Sequence, residues 1–222
     1  MRPPRDRVTL VDIYKRLYRF YGPQEWWPAR TRFEVIVGAI LTQNTAWTNV
    51  EKAIRNLRGS KLLSPSAFKK VDSAALGRHI RPAGYYNIKS KRLKDFIGFL
   101  FSKYKGSLTN ASHEGTDRLR HELLNVNGIG PETCDSILLY AFGRPVFVVD
   151  AYTKRVFSRH NFFREDAPYE DVQRFFMNNL PKKAGVYNEY HALIVRLAKD
   201  FCKNKPRCTS CPLKMLANKF LE

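Results

Sequence analysis

The sequence predicts an all-α protein. Three observations carry that expectation. Apolar residues recur at helical spacing along most of the chain, and helix start and stop signals flank those segments. The one strand-like run, Val146 to Val149, is short and follows Pro145, so it reads as a connector rather than part of a sheet. Leu10, Ile13, Tyr14, Leu17, Tyr18 and Tyr21 mark one face of a first helix. Thr31 and Glu34 have capping-box spacing and open a second helix through Phe33, Ile36, Val37 and Ile40. Trp47, Val50, Ala53, Ile54 and Leu57 form the next apolar face, which Gly59 stops. Further helices are expected around 65–71, 73–81, 87–104, 116–125, 131–142, 151–159, 169–180 and 187–202. There is no internal repeat and no low-complexity stretch.

With 222 residues, 44% of them hydrophobic, the chain is long enough for one globular unit or two small lobes with a real core. Lys and Arg total 39 against 20 Asp and Glu, a formal charge of +19. Charge of that sign and size favours a polyanionic partner: DNA, RNA or an anionic membrane surface. No run approaches the roughly 20 apolar residues that span a bilayer. Met1 to Val8 is polar and basic, without the apolar core of a signal sequence. A cytoplasmic, nucleoid-associated protein is expected.

The most informative stretch runs from Leu123 to Leu139. An apolar helix ends near Val126, Gly128-Ile129-Gly130 makes a tight turn, and Pro131 and Glu132 suit the first turn of a new helix. Such a turn aims backbone N–H groups outward at a helix N-terminus, where a phosphate can sit. That grip positions a protein on a nucleic acid without reading bases. An ordinary helix–turn–helix corner would carry the same residues.

Asp150 ends the run Val146-Phe-Val-Val and precedes an expected helix, a favoured place for an N-cap. A carboxylate fixed beside a bound nucleotide would do more. It would stabilise the positive, sugar-like transition state of glycosidic cleavage, and it would orient or deprotonate water.

These segments resemble the helix-hairpin-helix DNA glycosylases of the endonuclease III branch. The likeness rests on the hairpin Leu123 to Gly130, the helix from Glu132 to Phe142, and Val146-Phe-Val-Val-Asp-Ala-Tyr-Thr-Lys-Arg-Val156. Gly38-Ala-Ile-Leu-Thr-Gln-Asn-Thr45 resembles the family segment whose glutamine enters DNA near the vacated base. Ile80 to Lys91 resembles its middle helix junction, and Cys202 to Cys211 its iron–sulfur loop. The resemblance implies two helical lobes with a DNA-binding cleft between them. Residues 30–145 would form a helical barrel, and 1–29 with 146–222 the second lobe. It also implies a monomer that flips a base out of damaged double-stranded DNA. Asp150 would be the catalytic aspartate. Gln43, Asn44, Gly128, Ile129 and Gly130 would contact DNA, and Lys89 and Lys91, at the start of a basic helix, would contact phosphates.

Two departures shape the expected chemistry. Glu132 stands where bifunctional members carry a lysine that forms a Schiff base with the sugar. A carboxylate cannot do this, so hydrolysis that leaves an abasic site is expected. The family's cluster uses four cysteines, and the tail supplies three: Cys202, Cys208 and Cys211. The expected fourth position falls near Leu216, Ala217 and Asn218, and Cys134 belongs to the hairpin. A loop without a metal is expected. If a metal is bound, those three cysteines hold it.

Trp26 and Trp27 precede Pro28, and Trp47 lies one helical turn beyond Gln43. Aromatic faces sandwich a flipped base and favour a cationic one. Glu132 would add favourable charge. Here the sequence resembles the endonuclease III-like 3-methyladenine DNA glycosylases, and alkylated purines are the expected lesion. The same tryptophans would serve equally well as packing residues. His191, on an apolar helix face, reads as a structural histidine.

Overall fold

The structure is a computed structural model that describes residues 8–214. Twelve α-helices and no strand are found among them. Two compact units result: Trp27–Arg144, and the described parts of Met1–Trp26 and Pro145–Glu222. No helix among the described residues is long and apolar enough to cross a membrane.

The first unit is built around α2 (Arg32–Thr42), whose residues from Phe33 to Leu41 are all buried. An amphipathic stripe would not suffice for such a helix; it must be covered on every side. The covering elements are α3 (Trp47–Gly59), α6 (Tyr86–Tyr104), α9 (Pro131–Ser136) and the π-helical turn Ile137–Ala141 that continues α9. The short helices α4 (Pro65–Lys70), α5 (Ser73–Ile80), α7 (Leu108–Ser112) and α8 (Thr116–Leu124) complete it. The Thr31 hydroxyl accepts the Glu34 N–H as expected, but the Glu34 carboxylate turns to Arg58 at 2.6 Å. The capping box is therefore half made. Glu34 is buried, and the guanidinium partner is what makes its charge tolerable there. α7 has no counterpart among the expected helices; at five residues it is too short to show a period.

The second unit comprises α1 (Leu10–Tyr21), α10 (Ala151–Ser158), α11 (Tyr169–Asn179) and α12 (Ala184–Asp200). α1 carries a complete capping box between Thr9 and Asp12. α12 packs against α1 and α10 and starts at Ala184, one turn earlier than its apolar periodicity indicated. The core is aromatic: Phe147 stacks on Phe176 at 4.2 Å, and Phe157, Tyr187 and Tyr190 meet these rings edge-on. The Val146–Val149 run is a buried extended connector with no partner strand. Side chains satisfy its backbone instead: Gln173 donates to the Phe147 carbonyl at 2.6 Å, and the Val149 N–H donates to the Tyr169 hydroxyl at 3.4 Å.

Candidate active site and DNA-binding elements

In the hairpin, α8 ends at Leu124, Ile129 tucks under the turn with 4% exposure, and Pro131 opens α9. The two glycines differ. Gly128 has φ of +82°, and a Cβ there would overlap the Arg92 side chain. Gly130 is the extended N-cap of α9, and a Cβ there would meet nothing. Gly128 is thus required by the fold, whereas Gly130 keeps the outer face of the turn open. Arg120 on α8 braces α9 through a fork onto the fully buried Asp135, at 2.7 and 3.0 Å.

Gln43 caps the C-terminus of α2 and is fastened to this hairpin. Its amide donates to the Gly128 carbonyl and to the Thr133 hydroxyl, both at 2.9 Å, and its carbonyl accepts from Arg92. Asn44 follows in the left-handed region, φ 52°, and is exposed. Thr45 donates to the Ala83 carbonyl at 2.6 Å and so ties this corner to the turn before α6. In that turn Tyr85 has φ of 44° and is 70% exposed, with Ile88 exposed one turn on. An apolar pair on an otherwise basic corner was missed in the sequence. The bare Gly84-Tyr85 step between a 3₁₀ turn and a helix was the available signal.

Lys89 corrects the expectation of a phosphate contact. It is 1% exposed, and its ammonium donates to the carbonyls of Leu41 and Ala83 and to the Thr45 hydroxyl, at 2.8, 2.9 and 2.5 Å. Burial, together with the nearby Arg92 guanidinium, brings its pKa down to about 8. No proton donor remains for a phosphate, and the lysine serves to hold the Gln43 corner together. Lys91 is exposed.

Beside the start of α2, Trp27 holds φ of 68°, stacks on Tyr140 at 4.9 Å and meets Trp47 edge-on at 5.2 Å. Tyr140 belongs to the π-helical turn, whose extra residue re-aims side chains after α9. Gly38 makes the close approach possible: a Cβ there would lie 3.3 Å from the Trp27 ring. A concavity of about 230 Å³ adjoins the rings, with Glu34, Glu51, Arg55 and Arg58 in its wall. The Glu51 carboxylate accepts the Trp47 indole N–H at 3.0 Å. Glu132 is exposed in the first turn of α9.

Asp150 lies in the other unit. It caps α10, with one carboxylate oxygen accepting the Thr153 N–H at 2.7 Å and the other 3.4 Å from His191 Nε2. Its side chain is 12% exposed, that of His191 7%. Burial alone would raise the carboxyl pKa. The His191 charge and hydrogen bond, with the Thr153 N–H, overcome it and hold the group below the usual carboxylate range. Trp26 meets the His191 ring edge-on at 6.3 Å.

The chain has four cysteines, one more than the tail alone supplies. Cys134 is buried in α9, where burial first and Asp135 second push its thiol up to about 12. Cys202 is buried, Cys211 half-buried and Cys208 exposed. Arg155 donates to the Cys202 carbonyl at 2.7 Å, and Arg159 to the Cys202 sulfur at 3.4 Å and the Lys203 carbonyl at 2.6 Å. Among the described residues, no three His, Cys, Asp or Glu side chains gather to hold a metal. The tail sequence has no fourth cysteine, and positions 216–218 lie outside the described residues. These donors do not fit a four-thiolate cluster.

A helix-hairpin-helix with an open glycine turn, followed by a helix-capping aspartate, is matched by one family model over residues 37–182. That model describes the HhH-GPD superfamily of base excision DNA repair proteins. The chain belongs to the HhH-GPD superfamily. It is a DNA repair glycosylase of the endonuclease III branch. A Methanocaldococcus jannaschii protein, provisionally named a DNA repair glycosylase, is 53% identical over 92% of this chain and 94% of its own. Endonuclease III of Bacillus subtilis is 26% identical over 83% of this chain and 80% of its own. Among solved HhH-GPD relatives, a Helicobacter pylori 3-methyladenine DNA glycosylase bound to 1,N6-ethenoadenine is similar at 30% identity. Its TM-score is 0.75, with 86% of this chain and 98% of that chain covered. An endonuclease III–DNA complex is similar at 25% identity and TM-score 0.79, covering 94% and 95%.

Proposed function

We propose that this glycosylase excises alkylated purines such as 3-methyladenine from duplex DNA, hydrolysing the N-glycosidic bond and leaving an intact abasic strand. The observation that carries the reading is the group of rings at Trp27, Trp47 and Tyr140 with the Glu51 carboxylate bonded to the Trp47 indole. Electron-rich ring faces beside an acid attract a base with a formal positive charge. Such bases are also good leaving groups and demand little further activation. The likeness to a 3-methyladenine glycosylase supports the same assignment.

Each unit supplies one part of the chemistry. The hairpin turn Gly128-Ile129-Gly130 offers backbone N–H groups to a phosphate, and Lys91 adds charge. Gln43, Asn44 and the exposed Tyr85 fill the space that an everted base leaves, as apolar and amide wedges do elsewhere. Asp150, held ionised, faces the positive charge that grows on the sugar as the bond breaks, and orients the attacking water. Trp26 adds aromatic surface beside it. Glu132 has no amine, so no Schiff base forms and the strand stays whole.

Duplexes that each carry one lesion test this reading, analysed with and without hot alkali. Strand breaks at 3-methyladenine or 7-methylguanine only after alkali are expected. Breaks at oxidised pyrimidines before alkali, with a borohydride-trapped adduct, would instead mark a glycosylase with lyase activity. Tight binding with no breaks at any lesion would mark a DNA-binding module without catalysis.

A further inference from the structure

We infer that His191 is the positioning residue for Asp150, fixing the direction of its second carboxylate oxygen and its charge. The inference rests on the reading of Asp150 as the catalytic carboxylate. The N-cap role uses one oxygen only, through Thr153. The other oxygen lies 3.4 Å from His191 Nε2. A cap alone does not need that second partner, because capping engages a single side-chain acceptor.

The surroundings leave His191 as the group that matters. Lys154 on α10 is bound to the Ala167 carbonyl at 2.6 Å, and Arg155 to that of Cys202 at 2.7 Å. On α12, Glu189 accepts the Gln24 N–H at 2.9 Å, and the Tyr190 hydroxyl donates to Leu10 at 2.9 Å. On α11, the Tyr169 hydroxyl receives the Val149 N–H, and in the segment before Trp26, Glu25 is exposed. His191 is the one charged neighbour that acts on the Asp150 carboxyl. It is buried in the middle of α12, and the edge-on Trp26 ring limits its rotation. A carboxylate in so closed a place takes a proton readily unless a cation or donor faces it. A protonated Asp150 could neither stabilise a sugar cation nor accept a proton from water.

The inference is tested with His191→Leu, His191→Gln and Asp150→Asn on a duplex carrying one 7-methylguanine. Single-turnover excision, affinity for the same duplex carrying a tetrahydrofuran abasic analogue, thermal midpoint and the pH–rate profile are measured. His191→Leu is expected to lose on the order of 10- to 100-fold in excision rate with affinity within about twofold. Its acid limb should move up by about one pH unit, because the lost cation no longer favours the carboxylate. His191→Gln, which keeps a donor without the charge, should recover part of the rate while retaining the raised limb. His191→Leu at the parental rate with an unmoved limb would overturn the inference, as would equal losses in rate and affinity in both His191 variants. Should His191→Leu not fold, His191→Gln alone decides through the position of its limb. Asp150→Asn separates the two claims. If it excises at the parental rate, the reading of Asp150 fails; if it is inactive while both His191 variants are fully active, only the role of His191 fails.

Discussion

Lys89 shows how one residue's role depends on the face it occupies. It carries an ammonium into a place where charge is unfavourable, and three oxygen acceptors offset part of that penalty. Lys89→Met leaves the Leu41 and Ala83 carbonyls without this donor and should destabilise the protein by about 1–3 kcal/mol, read as a lower thermal midpoint. The dependence of DNA affinity on salt should stay as it was, whereas loss of a phosphate contact would lower that slope by about one. The burial of Lys89 was legible. Leu93, Phe96, Ile97 and Leu100 are the buried face of α6, and Lys89 lies one turn before Leu93 on the same stripe. The basic run around it, Lys89-Ser-Lys91-Arg92, suggested a solvated face instead. His191 was equally placed on an apolar face, but nothing in sequence spacing links it to a residue 41 positions earlier.

The hairpin and the segment that leads to Asp150 were readable as elements because local chemistry dictates them. Gly128, Pro131 and Asp150 each occupy a position that few other residues tolerate: a positive φ, a first helical turn and an N-cap. What packs onto those elements was not readable. Arg92 fills the space beside Gly128, Gln43 reaches across to its carbonyl, and the π-helical turn aims Tyr140 at Trp27. These are contacts between residues far apart in sequence, set by packing rather than by periodicity. Gly128→Ala tests the joint dependence. A side chain must adopt a left-handed φ and displace Arg92, so stability should fall by about 1–2 kcal/mol. Affinity should fall by a similar factor for damaged and undamaged duplex, because the hairpin holds backbone and not base. A selective loss for damaged DNA, measured by fluorescence anisotropy, would place the hairpin in lesion recognition.

At the scale of the whole molecule, a formal charge of +19 and a superfamily that acts on DNA describe one property. The basic surface supplies sequence-independent attraction, while two small groups of residues decide what happens after contact. One is the aromatic set around Trp27, with the Gln43 corner and the hairpin; the other is Asp150 with His191. The all-α class followed from helical periodicity. The buried extended run at Val146–Val149 shows why such a segment needs side chains like Gln173 in place of a partner strand. The cysteine tail belongs to the same scale. Arg155 and Arg159, one turn apart on α10, hold its backbone to the helix that Asp150 caps.

The most direct test is single-turnover excision by Asp150→Asn on a duplex with one alkylated purine, with affinity measured on the same duplex. Asparagine retains the cap and nearly the same shape but has no negative charge. The rate should fall by at least about 10³-fold, in the range of lost transition-state charge stabilisation, while affinity stays within about threefold. Excision at the parental rate would contradict the assignment of the chemistry to this carboxylate.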